Sequence, residues 1–146
     1  MPVPATNLTE LLKQRLPGGL QLPPPCLTTM QAEPLEYEEG QWLSMRFPVL
    51  PAYQNPLGYM QGGFLVAALD NTLGPFSYLI APPSVTGHLA IEYLRPVTPG
   101  TAYIDCIAHL VQRTSRSLYL SAEVRNPEGK VMALCQSTCQ ILPGAG

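Results

Sequence analysis

Leu8, Leu11, Leu12 and Leu16 recur every three or four residues, the spacing of one helix face, and Thr6 before them and Gly18-Gly19 after them supply a start and a stop. Residues 20–27, with Pro23-Pro24-Pro25, interrupt this period and predict a stiff connector running over the surface. Two short β segments follow, about Thr28 to Tyr37 and Gln41 to Phe47, and the turn-like Glu38-Glu39-Gly40 joins them into a hairpin. Pro48 to Gln61 is a loop rich in proline and glycine. The run Gly62 to Leu73 is apolar nearly all round and predicts a buried helix reaching about Ile80, with a kink at Gly74-Pro75 and a stop at Ala81-Pro82-Pro83. From Val85 the pattern turns to strands, at about 85–95, 101–113, 117–126 and 130–142, with turn chemistry at Pro99-Gly100 and Asn126-Pro127-Glu128-Gly129. Leu118, Leu120, Ala122 and Val124 alternate with Tyr119, Ser121, Glu123 and Arg125, so one face of that strand is apolar and the other mostly polar.

A hairpin, a long apolar helix and four antiparallel strands are satisfied together by a sheet that curls around the helix and buries it. The expected class is α+β, an antiparallel sheet around a long central helix with an extra N-terminal helix. Residues 1–27 are read as the N-terminal helix and proline-rich connector, and residues 28–146 as the main domain.

Asp70 stands inside the apolar run, and its burial with the helix would require a hydrogen bond, a partner charge or a chemical task. The preceding loop delivers the glycine amides of Gly62 and Gly63 to the helix N-terminus, where an anion or a developing oxyanion is favoured. A carboxylate and a donor set on one helix suggest acyl chemistry.

Charged residues make up only 12% of the 146, apolar residues 46%, and the formal net charge is −2. So little charge favours an oligomer over a lone monomer. The eight Lys and Arg are scattered, which argues against nucleic acid. No apolar stretch has the roughly 18 residues of a membrane span. Glu10, Lys13 and Arg15 break the N-terminal stripe, unlike a secretion signal, so a cytoplasmic location is expected. Cys26, Cys106, Cys135 and Cys139 form no C-x-x-C pair and are read as buried thiols, with no metal site. His88 and His109 have no chemical partner nearby in sequence.

Asn55, Gly58, Gly62-Gly63 and Asp70-Asn71 follow the spacing N-x-x-G-x-x-H-G-G-x-x-x-x-x-x-D, and Leu89 to Val97 with Pro99-Gly100 make a strand and turn after the helix. In these elements, over roughly residues 35–142, the chain resembles the hotdog-fold acyl-CoA thioesterases of the phenylacetate-degradation (PaaI-like) type. The resemblance implies that Asp70 is the catalytic carboxylate, attacking the thioester or activating water, and that the Gly62 N–H holds the thioester oxygen. It implies that Asn55 orients the carbonyl or the water and that Thr86 helps to place the water. Coenzyme A would enter as part of the substrate, with no separate cofactor. One departure is plain: the histidine before the paired glycines is Gln61, which can hydrogen-bond but cannot take up a proton.

Gly62 and Asp70 are eight residues apart, about 12 Å along a helix. They converge on one carbon only if a second copy of the helix lies antiparallel to the first, which predicts two sites at the interface of a homodimer. The assembly expected beyond it is a dimer of dimers, a homotetramer. Gly63, Tyr59 and Met60 are candidate substrate contacts, and the last two with Phe64, Phe76 and Tyr78 suggest an apolar or aromatic slot. Arg113 and Arg116, flanking Thr114-Ser115, are candidates for the coenzyme A phosphates, against the plainer reading of solvated turn charges. The competing function is a hotdog protein that holds acyl-CoA without turning it over. A dehydratase is disfavoured because Gln61 occupies the place of the histidine that such chemistry uses.

Overall fold

In the computed structural model, which describes residues 1–144, the elements are β1 (Val3–Pro4), α1 (Leu8–Arg15), α2 (Pro25–Thr29), β2 (Glu33–Glu38), β3 (Trp42–Pro48), α3 (Gly62–Ile80), β4 (Ser84–Tyr93), β5 (Tyr103–Arg113), β6 (Ser117–Arg125) and β7 (Val131–Ile141). The strands form one antiparallel sheet in the order β1-β2-β3-β5-β6-β7-β4. It wraps α3, which packs on β3 through β7. This is the α+β hotdog arrangement expected from the sequence, with the extra N-terminal helix in place.

Helix α3 forms because Leu65, Ala68, Leu69, Thr72, Leu73, Phe76 and Leu79 keep a helical period, and all seven are buried against the sheet. The sheet answers with Leu43, Met45 and Phe47 of β3, Ile104, Cys106 and Ala108 of β5, and Leu118, Leu120 and Val124 of β6. The buried Thr72 hydroxyl donates to the Ala68 carbonyl at 2.9 Å, so its burial leaves no donor unpaired. The helix continues through Gly74-Pro75 to Ile80, and Ala81 leaves it in extended conformation.

The expectation that α3 is buried all round is corrected. Phe64, Val66, Ala67 and Asn71 are half-buried and Asp70 is exposed, because the sheet covers one face and the single chain leaves the other open. The N-terminal region differs too. Asn7, not Thr6, precedes α1, and no side-chain cap bond forms. The connector is not extended throughout: Pro24 and Pro25 open the short helix α2, since proline suits a first helical turn, and the first hairpin strand therefore begins at Glu33 instead of Thr28. The two-residue strand β1 pairs with β2, and Ala5, Leu8, Leu12 and Leu27 join the common core. No helix of the described residues is long and apolar enough to cross a membrane.

Candidate functional site

The loop leading into α3 is held by its own backbone. Asn55 Oδ1 accepts the N–H groups of Leu57 at 2.9 Å and Tyr59 at 3.1 Å, while the Asn55 N–H donates to the Tyr59 carbonyl at 2.7 Å. The Asn55 side chain thus closes the turn. Gly58, at φ +84°, occupies the left-handed region that this turn requires. The Met60 N–H donates to Val97 and the Gln61 N–H to Tyr53, so the loop is tied on both sides just before the helix. The ring of Phe64 stacks on Tyr53 with centroids 4.4 Å apart.

Gly62 and Gly63 then open α3, with N–H groups that have no place in the helical ladder and meet no acceptor among the described residues. The Tyr93 hydroxyl, from β4, donates to the Gly62 carbonyl at 3.0 Å. A β-carbon on Gly62 would fall 2.8 Å from that ring, so glycine is required for this close approach. Gln61 is exposed at the N-cap, and its side-chain oxygen leans over Gly63 without making a cap bond.

Two turns along the helix, the Thr86 hydroxyl donates to Asp70 Oδ1 at 2.9 Å. A β-bulge at Gly87 makes this geometry: Thr86 lies opposite Cys139 and Leu89 opposite Ser137, so the extra residue lets both Thr86 and Leu89 face the helix side. The Asp70 carboxylate is exposed at the mouth of a cavity of about 580 Å³. That cavity is lined by Asn71, Gly74 and Tyr78 of α3 and by the segment between α1 and α2, including Leu16, Leu20 and Leu22. The negative charge of Asp70 reaches its neighbours. Burial, then Asp70, pushes the Cys135 thiol up to about 11, and the Cys139 thiol is raised for the same two reasons. The Tyr78 phenol is also raised, first by burial, and stays protonated at neutral pH.

The structure therefore brings together Asp70 and Thr86, and separately gathers Asn55, Tyr59, Gln61, Gly62 and Gly63 at the start of α3, about 12 Å away along the axis. Met60, expected to touch substrate, lies in the core at 4% exposure, and Phe76 of the expected slot is buried at 1%. Phe76 follows the apolar stripe of α3 inward, Met60 is held in the core by the loop whose N–H at that residue bonds Val97, and of the residues suggested for the slot Tyr78 is the one that lines the Asp70 cavity. Arg113 Nη1 donates to the Ile80 carbonyl at 2.9 Å, capping the far end of α3. Arg116 is exposed in the β5–β6 turn, its N–H bonded to Thr114 Oγ1 at 3.3 Å. Neither arginine sits beside Asp70 or Gly62 of its own chain. Cys106, Cys135 and Cys139 are buried as expected, whereas Cys26 is exposed and lines the cavity. Nothing in the sequence pattern marks Tyr93, Leu20 or Leu22: the first sits in an ordinary alternating strand and the other two in a connector with no helical or strand period.

Comparison with known proteins agrees with this architecture. The family model of the thioesterase superfamily matches residues 57–133, more than half of the 146-residue chain. The PaaI protein of the phenylacetic acid degradation operon of Escherichia coli superposes with a TM-score of 0.81 at 17% identity, over 94% of this chain and 98% of that one. A variant of the phenylacetic acid degradation protein PaaI from Thermus thermophilus gives 0.75 at 26% identity, over 82% of this chain and the whole of the other. A Streptococcus mutans protein whose structure holds acetyl CoA gives 0.73 at 17% identity, over 86% and 95%. No curated protein matches the chain.

Proposed function

Because the chain belongs to the thioesterase superfamily, we propose that it hydrolyses acyl-CoA thioesters, aryl-CoA included, to a free acid and coenzyme A. The observation that carries the reading is the Thr86–Asp70 pair at the mouth of the cavity. Thr86 occupies Oδ1 as a donor and fixes the carboxylate plane, which leaves Oδ2 to accept a proton from water. In this scheme Asp70 is a general base: water attacks the thioester carbon, its proton passes to Asp70, and the carbonyl oxygen takes up the negative charge. Collapse of the tetrahedral intermediate breaks the carbon–sulfur bond, and the proton on Asp70 goes to the departing thiolate. Water is the only co-reactant.

The charge on the oxygen needs donors, and the free N–H of Gly62 is suited to supply one. The Gly62 of the same chain is two turns away, so the donor is assigned to a second copy whose α3 lies antiparallel across the open face. Two features support a homodimer of this kind. Strand β4 ends the sheet with an unpaired edge, on which a second β4 can continue the antiparallel ladder. Tyr93 on that strand is 51% exposed although its hydroxyl reaches Gly62, and Val66 and Ala67 on the same side of α3 as Asp70 are only half-buried, so apolar surface is left open there. A dimer of dimers would build on this pair. Coenzyme A as carrier is inferred from the ligand held by the Streptococcus mutans relative.

Gln61, at the place of the family's histidine, favours a second reading, a protein that binds acyl-CoA without turnover. Release of free thiol from a panel of acyl-CoAs separates the two. Hydrolysis by the native chain that falls about a hundredfold or more in Asp70→Asn is expected. Tight binding by a folded native chain with no thiol release would establish the second reading.

A further inference from the structure

We propose that the segment Leu16–Leu22 is the specificity wall of the acyl pocket, and that it selects uncharged, apolar acyl groups and rejects those ending in a carboxylate. The inference rests on the assignment of Asp70 to the reacting carbon. The cavity that starts at Asp70 holds about 580 Å³, far more than an acetyl group needs, since a water-sized unit occupies about 30 Å³. It is lined on one side by α3 and on another by the chain between α1 and α2. There Leu16, Leu20 and Leu22 face the cavity together with Pro17 and Pro24. The segment is fixed at its ends, where the Leu16 N–H donates to the Leu12 carbonyl and the Pro24 carbonyl accepts from Leu27 and Thr28, and where Leu12 and Leu27 are buried in the common core at 2% and 6% exposure.

Charge decides what this wall admits. Among the described residues Asp70 is the one charged side chain in the lining, and it stands at the mouth. An apolar chain or ring entering past it exchanges water for leucine and proline surface, at about 25 cal/mol for each Å² removed from water. An acyl group with a terminal carboxylate would carry a second negative charge past Asp70 into a wall with no cation to receive it, and an unpaired charge there is costly. Leu20, at 54% exposure, is the accessible point of the wall. Its substitution changes the cavity's charge with little demand on the core.

Cys26 gives a readout that needs no turnover. It lines the same cavity and is exposed, whereas the other three thiols are buried. The thioether S-octyl-coenzyme A, which cannot be hydrolysed, should slow alkylation of Cys26 by N-ethylmaleimide, and desulfo-coenzyme A, which has neither an acyl chain nor a thiol to consume the reagent, should not. In the native chain, kcat/KM for octanoyl-CoA should exceed that for succinyl-CoA by about a hundredfold, and Leu20→Arg should narrow the ratio by about tenfold or more, lowering the first and raising the second. An octanoyl-to-succinyl ratio unchanged by Leu20→Arg, with Cys26 alkylated equally fast with and without the thioether, overturns the proposal even where Asp70→Asn has abolished hydrolysis. Protection of Cys26 by the thioether that is lost in Leu20→Arg supports the wall even if no thioester is turned over, in which case the hydrolytic reading alone fails.

Discussion

The Tyr93 hydroxyl donates to the Gly62 carbonyl at 3.0 Å, and its ring fills the space that a β-carbon on Gly62 would occupy. An edge strand is thereby fastened to the first residue of the central helix, next to the amide proposed as the oxyanion donor. Gly62→Ala should force the ring away, turning the amide and lowering turnover. Tyr93→Ala in the same chain should restore part of the loss, because the clash is then gone. A double-mutant cycle on thermal unfolding should give a coupling of at least about 0.5 kcal/mol. Strictly additive effects would mean that Tyr93 swings aside freely and positions nothing.

Thr86 and Asp70 should behave as a unit. Thr86→Val removes the donor to Oδ1 while keeping the shape, and is expected to lower kcat about tenfold with KM little changed. Asp70→Asn should cost about a hundredfold or more. The double variant should be no worse than Asp70→Asn alone, since a hydroxyl that orients a carboxylate has nothing to orient once the charge is gone. Steady-state kinetics on one acyl-CoA would check this, and multiplied losses would assign Thr86 a separate task.

The choice between base and nucleophile is open to an isotope experiment. With enzyme in excess over substrate in ¹⁸O-water, general-base hydrolysis puts the heavy oxygen into the acid in the first turnover. Direct attack by Asp70 forms an acyl anhydride. Water opening it at the aspartyl carbonyl would release a first acid bearing the light oxygen from the carboxylate. Since an anhydride opened at its acyl carbonyl would also label the acid, we expect the labelled acid together with no acylated protein in the quenched reaction, because the Thr86 donor draws electron density from one Asp70 oxygen and leaves the other to bind water. Mass spectrometry of the product from a single turnover reads the result.

Much of this architecture is legible in the sequence because two periods are strong. The helical stripe from Leu65 to Leu79 and the alternation Leu118, Leu120, Ala122, Val124 place α3 and β6 directly. The short pieces are not legible. Two residues of β1 carry no period, and Pro23-Pro24-Pro25 reads equally as an extended spacer or, as it proves at Pro25, the start of a helix. For Asp70 the pattern misleads: apolar residues all round a helix imply burial within one chain, and Phe64, Val66 and Ala67 are instead only half-buried while Asp70 itself is exposed. The spacing of Asn55, Gly62 and Asp70 is readable, yet the Asn55 side-chain oxygen goes to its own turn, a local bond that any Asn in such a loop can make.

Tyr53 carries a cost that can be removed. Its ring is buried at 6% exposure and stacked on Phe64, and its hydroxyl has no partner among the described residues. A buried donor left unpaired costs about 1–3 kcal/mol. Tyr53→Phe keeps the stack and should raise the thermal midpoint in calorimetry. A lower midpoint would show that the hydroxyl is satisfied in the assembled protein.

The buried thiols set an alkaline limit on stability. Burial, reinforced by the charge of Asp70, pushes Cys135 up to about 11 from an ordinary value of 9.0, and burial raises Cys106 further still. In the unfolded chain both thiols ionise near the ordinary value, so above pH 9 the unfolded state binds fewer protons than the folded one. Stability from these groups is thus fully present below pH 9 and is lost as pH rises towards 11. The loss approaches about 1.4 kcal/mol per pH unit for each thiol that stays protonated only in the fold. Urea midpoints at pH 8, 9.5 and 10.5 should therefore decline, and Cys135→Ala, whatever its effect at pH 8, should make the decline shallower. An equal decline in both proteins would show that Cys135 loses its proton within the folded chain as readily as outside it.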